Sequence, residues 1–338
     1  MLNKTLTPQT TPSRTGPKVG LVLGSGAARG WAHIGVLRAF DDMGLKPDVI
    51  AGCSVGALVG GAHLLGVLPE FEKWARELGP LAAMRDFAVN LSHGGFLNPD
   101  AAFKAFRHAD KPFADLPIPF GVNATDLGTG RELWITEGSV IDAVRASSAI
   151  PMVIHAAKMP QDHGDHWLVD GALSNPVPVD LARSLGADKV IAVDLTAVAL
   201  TLERFDPPPT RAVTLVEPAP LIEQQHLLPE PLHNLVANTR HYVERQLQMA
   251  KAKMQATPHF FETAIATIDI FQTQLAEAKS QIHKPDVRLM PDMRAAGPTS
   301  FDRADEFIEI GYRVTMDARE EISALFAGKD IDGAELVR

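Results

Sequence analysis

The chain has 338 residues, 46% of them hydrophobic, and a formal net charge of −9. That apolar content supports a sizeable core, in one large α/β domain or two small ones. The acidic balance, with no basic stripe, argues against nucleic acid as a main partner, and the lone cysteine, Cys53, excludes an intramolecular disulfide framework.

Residues 1–17 are rich in Thr and Pro and lack the apolar run of a secretory signal, so they read as a disordered tail. No stretch approaches the roughly 18 uninterrupted apolar residues of a spanning helix. The chain is expected to be soluble or to lie on a membrane surface, and the cytoplasm fits its cysteine usage best. From Lys18 to Asp194 apolar runs and amphipathic stretches alternate, which predicts a mostly parallel sheet covered by helices. Strands are expected over Lys18–Leu23 and Pro47–Ala51, each followed by a helix, Ala27–Met43 and Val55–Gly66. Leu68–Leu91 reads as two helices broken near Gly79-Pro80, and His93–Phe96 as a loop. Pro119–Asp126 and Arg131–Thr136 form a hairpin across Leu127-Gly128-Thr129-Gly130. A helix over Ser139–Ala149, a short strand His166–Val169, a helix Pro178–Leu185 and a β-branched strand Lys189–Asp194 complete this region.

Beyond it the composition shifts. Ala197–Pro231 is proline-rich and irregular, Leu232–Ala256 a long amphipathic helix, and Phe260–His283 another. Asp286–Met290 reads as a late strand and Phe301–Phe326 as one closing helix. The expected organisation is therefore a tail (1–17), a core (18–196), a variable segment (197–258) and C-terminal elements packed on the core (259–326).

Ser54 is the most informative position. Gly52-Cys53-Ser54-Val55-Gly56 is G-x-S-x-G at the end of a predicted strand and the start of a helix. In that context small residues two positions either side allow a sharp turn that lifts a serine nucleophile clear of the backbone. Cys53 beside it reads as a small packing residue. The first strand runs into a second glycine-rich turn, Gly24-Ser25-Gly26-Ala27-Ala28-Arg29-Gly30. As a dinucleotide loop its spacing is one residue too long, and the second strand ends in Gly52-Cys53-Ser54 rather than in a ribose-binding acid. As an oxyanion hole it would lie beside the serine at the carboxyl edge of the sheet, with backbone N–H groups around Gly26 and Ala27 facing the acyl oxygen. A merely structural turn is the third reading. Arg29 stands in the first turn of a predicted helix, where a cation opposes the dipole. Either it answers an anion, a substrate phosphate or a carboxylate, or it is a solvated side chain.

A base is needed. His226, His233, His241, His259 and His283 all fall in helical or proline-rich stretches, none at a strand-end loop. Asp170 follows the strand end Trp167-Leu168-Val169 and precedes Gly171-Ala172. Burial raises a carboxylate's basicity, so a Ser–Asp pair needs no histidine; the plainer reading of Asp-Gly is a turn.

Together the blocks Gly24–Gly30, Gly52–Gly56, Arg145-Ala146-Ser147-Ser148-Ala149-Ile150-Pro151 and Asp170–Ala172 resemble, in order and spacing, the four blocks of patatin-like phospholipases. The flanks Trp31–Leu37 and Asn175–Val179 look like the bacterial branch related to neuropathy target esterase, the RssA-type proteins. The resemblance implies a three-layer α/β/α fold and metal-free, cofactor-free hydrolysis of lipid acyl esters of the phospholipase A or lysophospholipase type. It makes Ser54 the nucleophile, Asp170 the proton acceptor within Asp170-Gly171-Ala172, Gly24, Ser25, Gly26, Ala27 and Arg29 the oxyanion loop, and Gly52 and Gly56 the elbow. Lipid or lysophospholipid is the implied partner, with peripheral contact at the inner face of the membrane. Ser25 and Ala27 replace glycines found in many members, which matters if either position needs a positive φ. The serines of Arg145–Pro151 are expected to be structural. A lipid acyltransferase and a non-catalytic lipid-sensing or protein-binding module remain alternatives, since the same pair serves the first and the same core the second.

Overall fold

The computed structural model describes residues 16–77, 106–151, 154–161, 164–196, 260–293 and 300–327. The expected second helix of 68–91, the loop 93–96, the segment 197–258 and the histidines at 226, 233, 241 and 259 lie outside them.

The described strands form one sheet. They are β1 (Val19–Leu23), β2 (Val49–Gly52), β3 (Phe120–Asp126), β4 (Glu132–Ile135), β5 (Ala157–Gln161), β6 (Gly164–Asp170), β7 (Lys189–Val193) and β8 (Val287–Leu289). The helices are α1 (Ala32–Asp42), α2 (Val55–Leu64), α3 (Leu68–Glu77), α4 (Val140–Ser147), α5 (Val179–Ser184), α6 (Phe260–Ile282), α7 (Ala304–Asp317) and α8 (Arg319–Leu325). The sheet order is β5-β6-β3-β2-β1-β7-β8, with β4 on β3. From β3 to β8 along this order every pairing is parallel, and β4, β5 and β6 are joined antiparallel. Among the described residues no helix is long and apolar enough to cross a membrane.

The central strands are buried on both faces, as parallel strands between helices must be. Val19, Leu21 and Leu23 of β1 join the larger core with α1, α2, α4 and α7, while Val22 faces a smaller one built on Val179, Leu181 and Ala182 of α5. Helices on both faces give the expected layered α/β arrangement. Asp269 onward in α6, β8, α7 and α8 belong to the same compact unit as the sheet. Helices α1 and α7 pack closely: a Cβ at Gly35 would lie 1.8 Å from Ile308 O, and one at Gly311 would lie 2.0 Å from Ala32 O.

Three expectations need correction. Ala27–Met43 is not one helix: Ala27–Trp31 is a 3-10 turn, and α1 begins at Ala32. The closing helix is two, α7 and α8, meeting at Ala318. The strand ending at Asp170 starts at Gly164 and pairs with β5, an edge strand that carries Pro160 and so lacks one donor for a ladder.

The way β3 is shared sets up the site. β4 takes one edge of β3, along Val122–Thr125. On the other edge β2 pairs with Phe120–Val122, and β6 with Ala124–Asp126 from the opposite direction. Two strands thus meet nose to nose along a single neighbour. The residues just past Gly52 and the last residue of β6 face each other across that junction.

Candidate active site

Ser54 is the turn between β2 and α2. Its backbone sits at φ 54°, ψ −120°, a strained conformation for a residue with a side chain. The neighbours explain how the turn closes. A Cβ at Gly52 would lie 2.6 Å from the Cα of Ala57, and one at Gly56 2.0 Å from Leu23 O, so both positions accept only glycine without a shift. The Ser54 N–H donates to Ser147 Oγ at 2.9 Å, and Ser147 ends α4. A serine of the Arg145–Pro151 block therefore braces the elbow from behind.

Asp170 closes β6 and caps the 3-10 turn Gly171–Leu173: its Oδ1 accepts from Ala172 N–H at 2.8 Å. Its own N–H donates to Ala149 O at 3.0 Å, and its carbonyl accepts from Thr125 Oγ1 at 2.9 Å. Asn123 Nδ2 donates to Gly171 O and Asn175 O at 3.2 and 2.8 Å, and a Cβ at Gly171 would meet Asn123 O at 2.3 Å. Asp170 is thus fixed on every side except Oδ2. That oxygen accepts from Ser54 Oγ at 2.6 Å. Both side chains are buried, Asp170 at 1% and Ser54 at 2% exposure. Burial pushes the Asp170 carboxyl up to about 6, against smaller opposing effects of the Ser54 and Ala172 hydrogen bonds. A carboxylate of that basicity is a competent proton acceptor near neutral pH.

The Gly24–Gly30 loop lies at the end of β1, in register beside β2. Gly30 abuts Val55, the residue after Ser54, where a Cβ would sit 2.1 Å from the valine side chain. The loop's donors divide cleanly. Gly24 N–H donates to Val193 O at 3.0 Å, and Ser25 N–H to Pro176 O at 2.9 Å. Among the described residues, the N–H groups of Gly26 and Ala27 donate to no acceptor. Of the expected oxyanion residues, then, Gly24 and Ser25 shape the loop while Gly26 and Ala27 keep their amides available. Gly26 packs on Leu195, where a Cβ would lie 2.8 Å from Cβ of that residue. Ala27 adopts φ 49°. This is the position where a glycine would be relaxed, and alanine is held there under strain.

Arg29 does answer an anion, and it is a carboxylate of the protein. The side chain is 1% exposed and ion-pairs with Asp269 of α6. His33, missed in the sequence, is buried beneath the loop and donates from Nε2 to Gly24 O at 2.7 Å; burial pushes its pKa down to about 4, so the ring is neutral. Of the expected histidines the described one, His283, lies 3.6 Å from Asp180 Oδ2 on the helical face. Cys53 is buried, and burial raises its thiol pKa well above the ordinary value, which suits packing and not nucleophilic attack.

The chain is similar to several known proteins. Residues 21–183 match the family model of patatin-like phospholipase. An uncharacterized NTE family protein of Mycobacterium tuberculosis is 41% identical over 181 residues, covering 53% of this chain and 49% of that protein. The lysophospholipase nte1 of Aspergillus fumigatus is 32% identical over 192 residues, 54% of this chain and 12% of that one. The patatin-like phospholipase domain-containing protein 6 of Homo sapiens is 32% identical over 190 residues, 54% and 14% respectively. The chain spans about half the length of the mycobacterial relative and a smaller share of the other two. Over residues 21–183 the chain is thus similar to the patatin-like phospholipase family, and over 181 residues to an NTE family protein.

Proposed function

We propose that this protein is a serine acyl hydrolase that cleaves lipid acyl esters, of the phospholipase A or lysophospholipase type, by a Ser54–Asp170 dyad. The observation that carries the reading is the 2.6 Å hydrogen bond from Ser54 Oγ to Asp170 Oδ2. Ser54 Oγ attacks the acyl carbonyl carbon as Asp170 takes its proton. The carbonyl oxygen becomes an oxyanion held by the free amides of Gly26 and Ala27. Collapse breaks the ester bond, and protonated Asp170 returns the proton to the departing alcohol. Water then attacks the acyl-Ser54 ester, again giving its proton to Asp170, and fatty acid leaves with Ser54 restored.

The substrate class is supported by the relatives, one of which bears the name lysophospholipase. We place the catalytic unit at residues 18–196, completed by the C-terminal strand and helices, and its lipid partner at a membrane or micelle surface reached peripherally. The test is release of free fatty acid from lysophosphatidylcholine micelles by the full chain. Ser54→Ala and Asp170→Asn are each expected to lower kcat at least ~1000-fold, and the double variant no further than the worse single one, because the two act as a unit. Fatty-acid release by Ser54→Ala at the wild-type rate defeats the proposal.

A further inference from the structure

One face of α6 holds the glycine-rich loop at several points. Asp269, 4% exposed, ion-pairs with the buried Arg29. Three residues on, Gln272 Oε1 accepts from Ser25 Oγ at 3.2 Å. Thr273 Oγ1 donates to Thr196 O at 2.9 Å, next to Leu195, the residue against which Gly26 packs. Positions 269, 272, 273 and 276 share a helix face by spacing, and Ala276 on that face is 1% exposed.

A buried ion pair adds little net stability, because desolvating both charges offsets their attraction. What it gives here is direction. Arg29 donates to Gly26 O twice, from its backbone N–H at 3.1 Å and from Nε at 3.3 Å. The Gly26 C=O and the Ala27 N–H belong to one planar peptide and point opposite ways. Holding the carbonyl against Arg29 therefore turns the Ala27 amide outward. The arginine stem has several rotatable bonds, and it keeps Nε on that carbonyl only while its far end is anchored. Asp269 is the anchor.

We infer that Asp269 is a positioning residue for the oxyanion site. Acting through Arg29, it sets the Gly26–Ala27 peptide, so that a helix outside the family-matched residues 21–183 completes the catalytic loop. The inference rests on the reading of Ser54 and the loop given above, and its test separates the two.

Four full-length proteins are compared: wild type, Ser54→Ala, Asp269→Asn, and the paired apolar variant Arg29→Met/Asp269→Leu. Each is measured for kcat and KM on a p-nitrophenyl ester, for Tm, and for amide hydrogen exchange in the peptide covering residues 24–30. Asp269→Asn is expected to lower kcat about 30-fold, less than the loss of a whole oxyanion donor, with KM held within about twofold. Its 24–30 peptide exchanges faster. The paired variant regains wild-type Tm, since apolar packing replaces a buried pair at little cost, yet does not regain kcat or slow exchange. If the paired variant regains both Tm and kcat, the pair is structural and the inference is overturned. Wild-type exchange of residues 24–30 in both variants overturns it equally. Wild-type hydrolysis by Ser54→Ala removes the nucleophile reading instead, and the exchange result then decides the role of Asp269 by itself.

Discussion

Asp170→Asn should make the protein more stable and inactive together. The Asp170 carboxyl is displaced from its ordinary value of 3.8 to about 6, chiefly by burial. Each tenfold step in that equilibrium corresponds to about 1.4 kcal/mol, so ionising Asp170 inside the fold costs about 3 kcal/mol. The sign follows from proton linkage. Between about 4 and 6 the folded protein binds a proton at Asp170 that the unfolded chain has released, so stability falls as pH rises through this window. Above pH 6 the full cost is present; below pH 4 it vanishes. Asparagine keeps the carbonyl oxygen that accepts from Ala172 N–H and carries no charge. At pH 8 it is expected to raise Tm by roughly 6–12 °C, taking 2–4 °C per kcal/mol for a domain of this size. Near pH 4 the advantage is gone. Activity moves the other way: kcat falls at least ~1000-fold in the variant, and wild-type kcat/KM declines about tenfold per pH unit below pH 6. Differential scanning calorimetry at both pH values, beside ester hydrolysis, reads both effects. An Asp170→Asn protein that is less stable than wild type at pH 8 and still active would refute a buried, ionised base.

Three further substitutions probe the frame around the dyad. Ala27→Gly relieves a φ of 49° and should raise stability by up to about 1 kcal/mol in urea denaturation, with activity retained; a clear loss of stability would show that alanine is not strained there. Gly26→Val drives a side chain into Leu195, 2.8 Å from the position of its Cβ, and should depress kcat ~100-fold in a steady-state ester assay with a smaller effect on KM. Ser147→Ala leaves the buried Ser54 N–H without its acceptor and should cost about 1–3 kcal/mol by thermal melting, with kcat down ~10-fold as the elbow relaxes.

Local signals were the ones the sequence carried. β1 and β2 are short apolar runs followed by glycine turns, and both strands and the Ser54 elbow fall where those runs end. The strand leading into Asp170 was readable at its apolar end, Trp167–Val169, but not at Gly164–His166, where polar residues pair with an edge strand bearing Pro160. The break at Ala318 has no glycine or proline to mark it, and the apolar pattern runs through it. The pairing of Ser54 with Asp170 was implied by the family resemblance, but the route that brings them together was not legible, because it depends on β2 and β6 sharing one edge of β3, a pairing between distant segments. Arg29 was flagged by its awkward place at a helix start. Its partner lies 240 residues away, and no local pattern distinguishes Asp269 from any other acid on an amphipathic helix. His33 and Ser147 sat inside recognised blocks, yet their jobs, holding the Gly24 carbonyl and the Ser54 amide, became visible only with the backbone in place.

The central claim is that Ser54 is a nucleophile activated by Asp170. A fluorophosphonate probe forms a covalent bond to such a serine, and mass spectrometry of the digested protein locates it. The account predicts a single adduct on the peptide containing Ser54, absent from Ser54→Ala, strongly slowed in Asp170→Asn, and forming at a rate that rises with pH to a plateau above about 6. An adduct on a different residue, or labelling of Ser54 at an unchanged rate in Asp170→Asn, would contradict it.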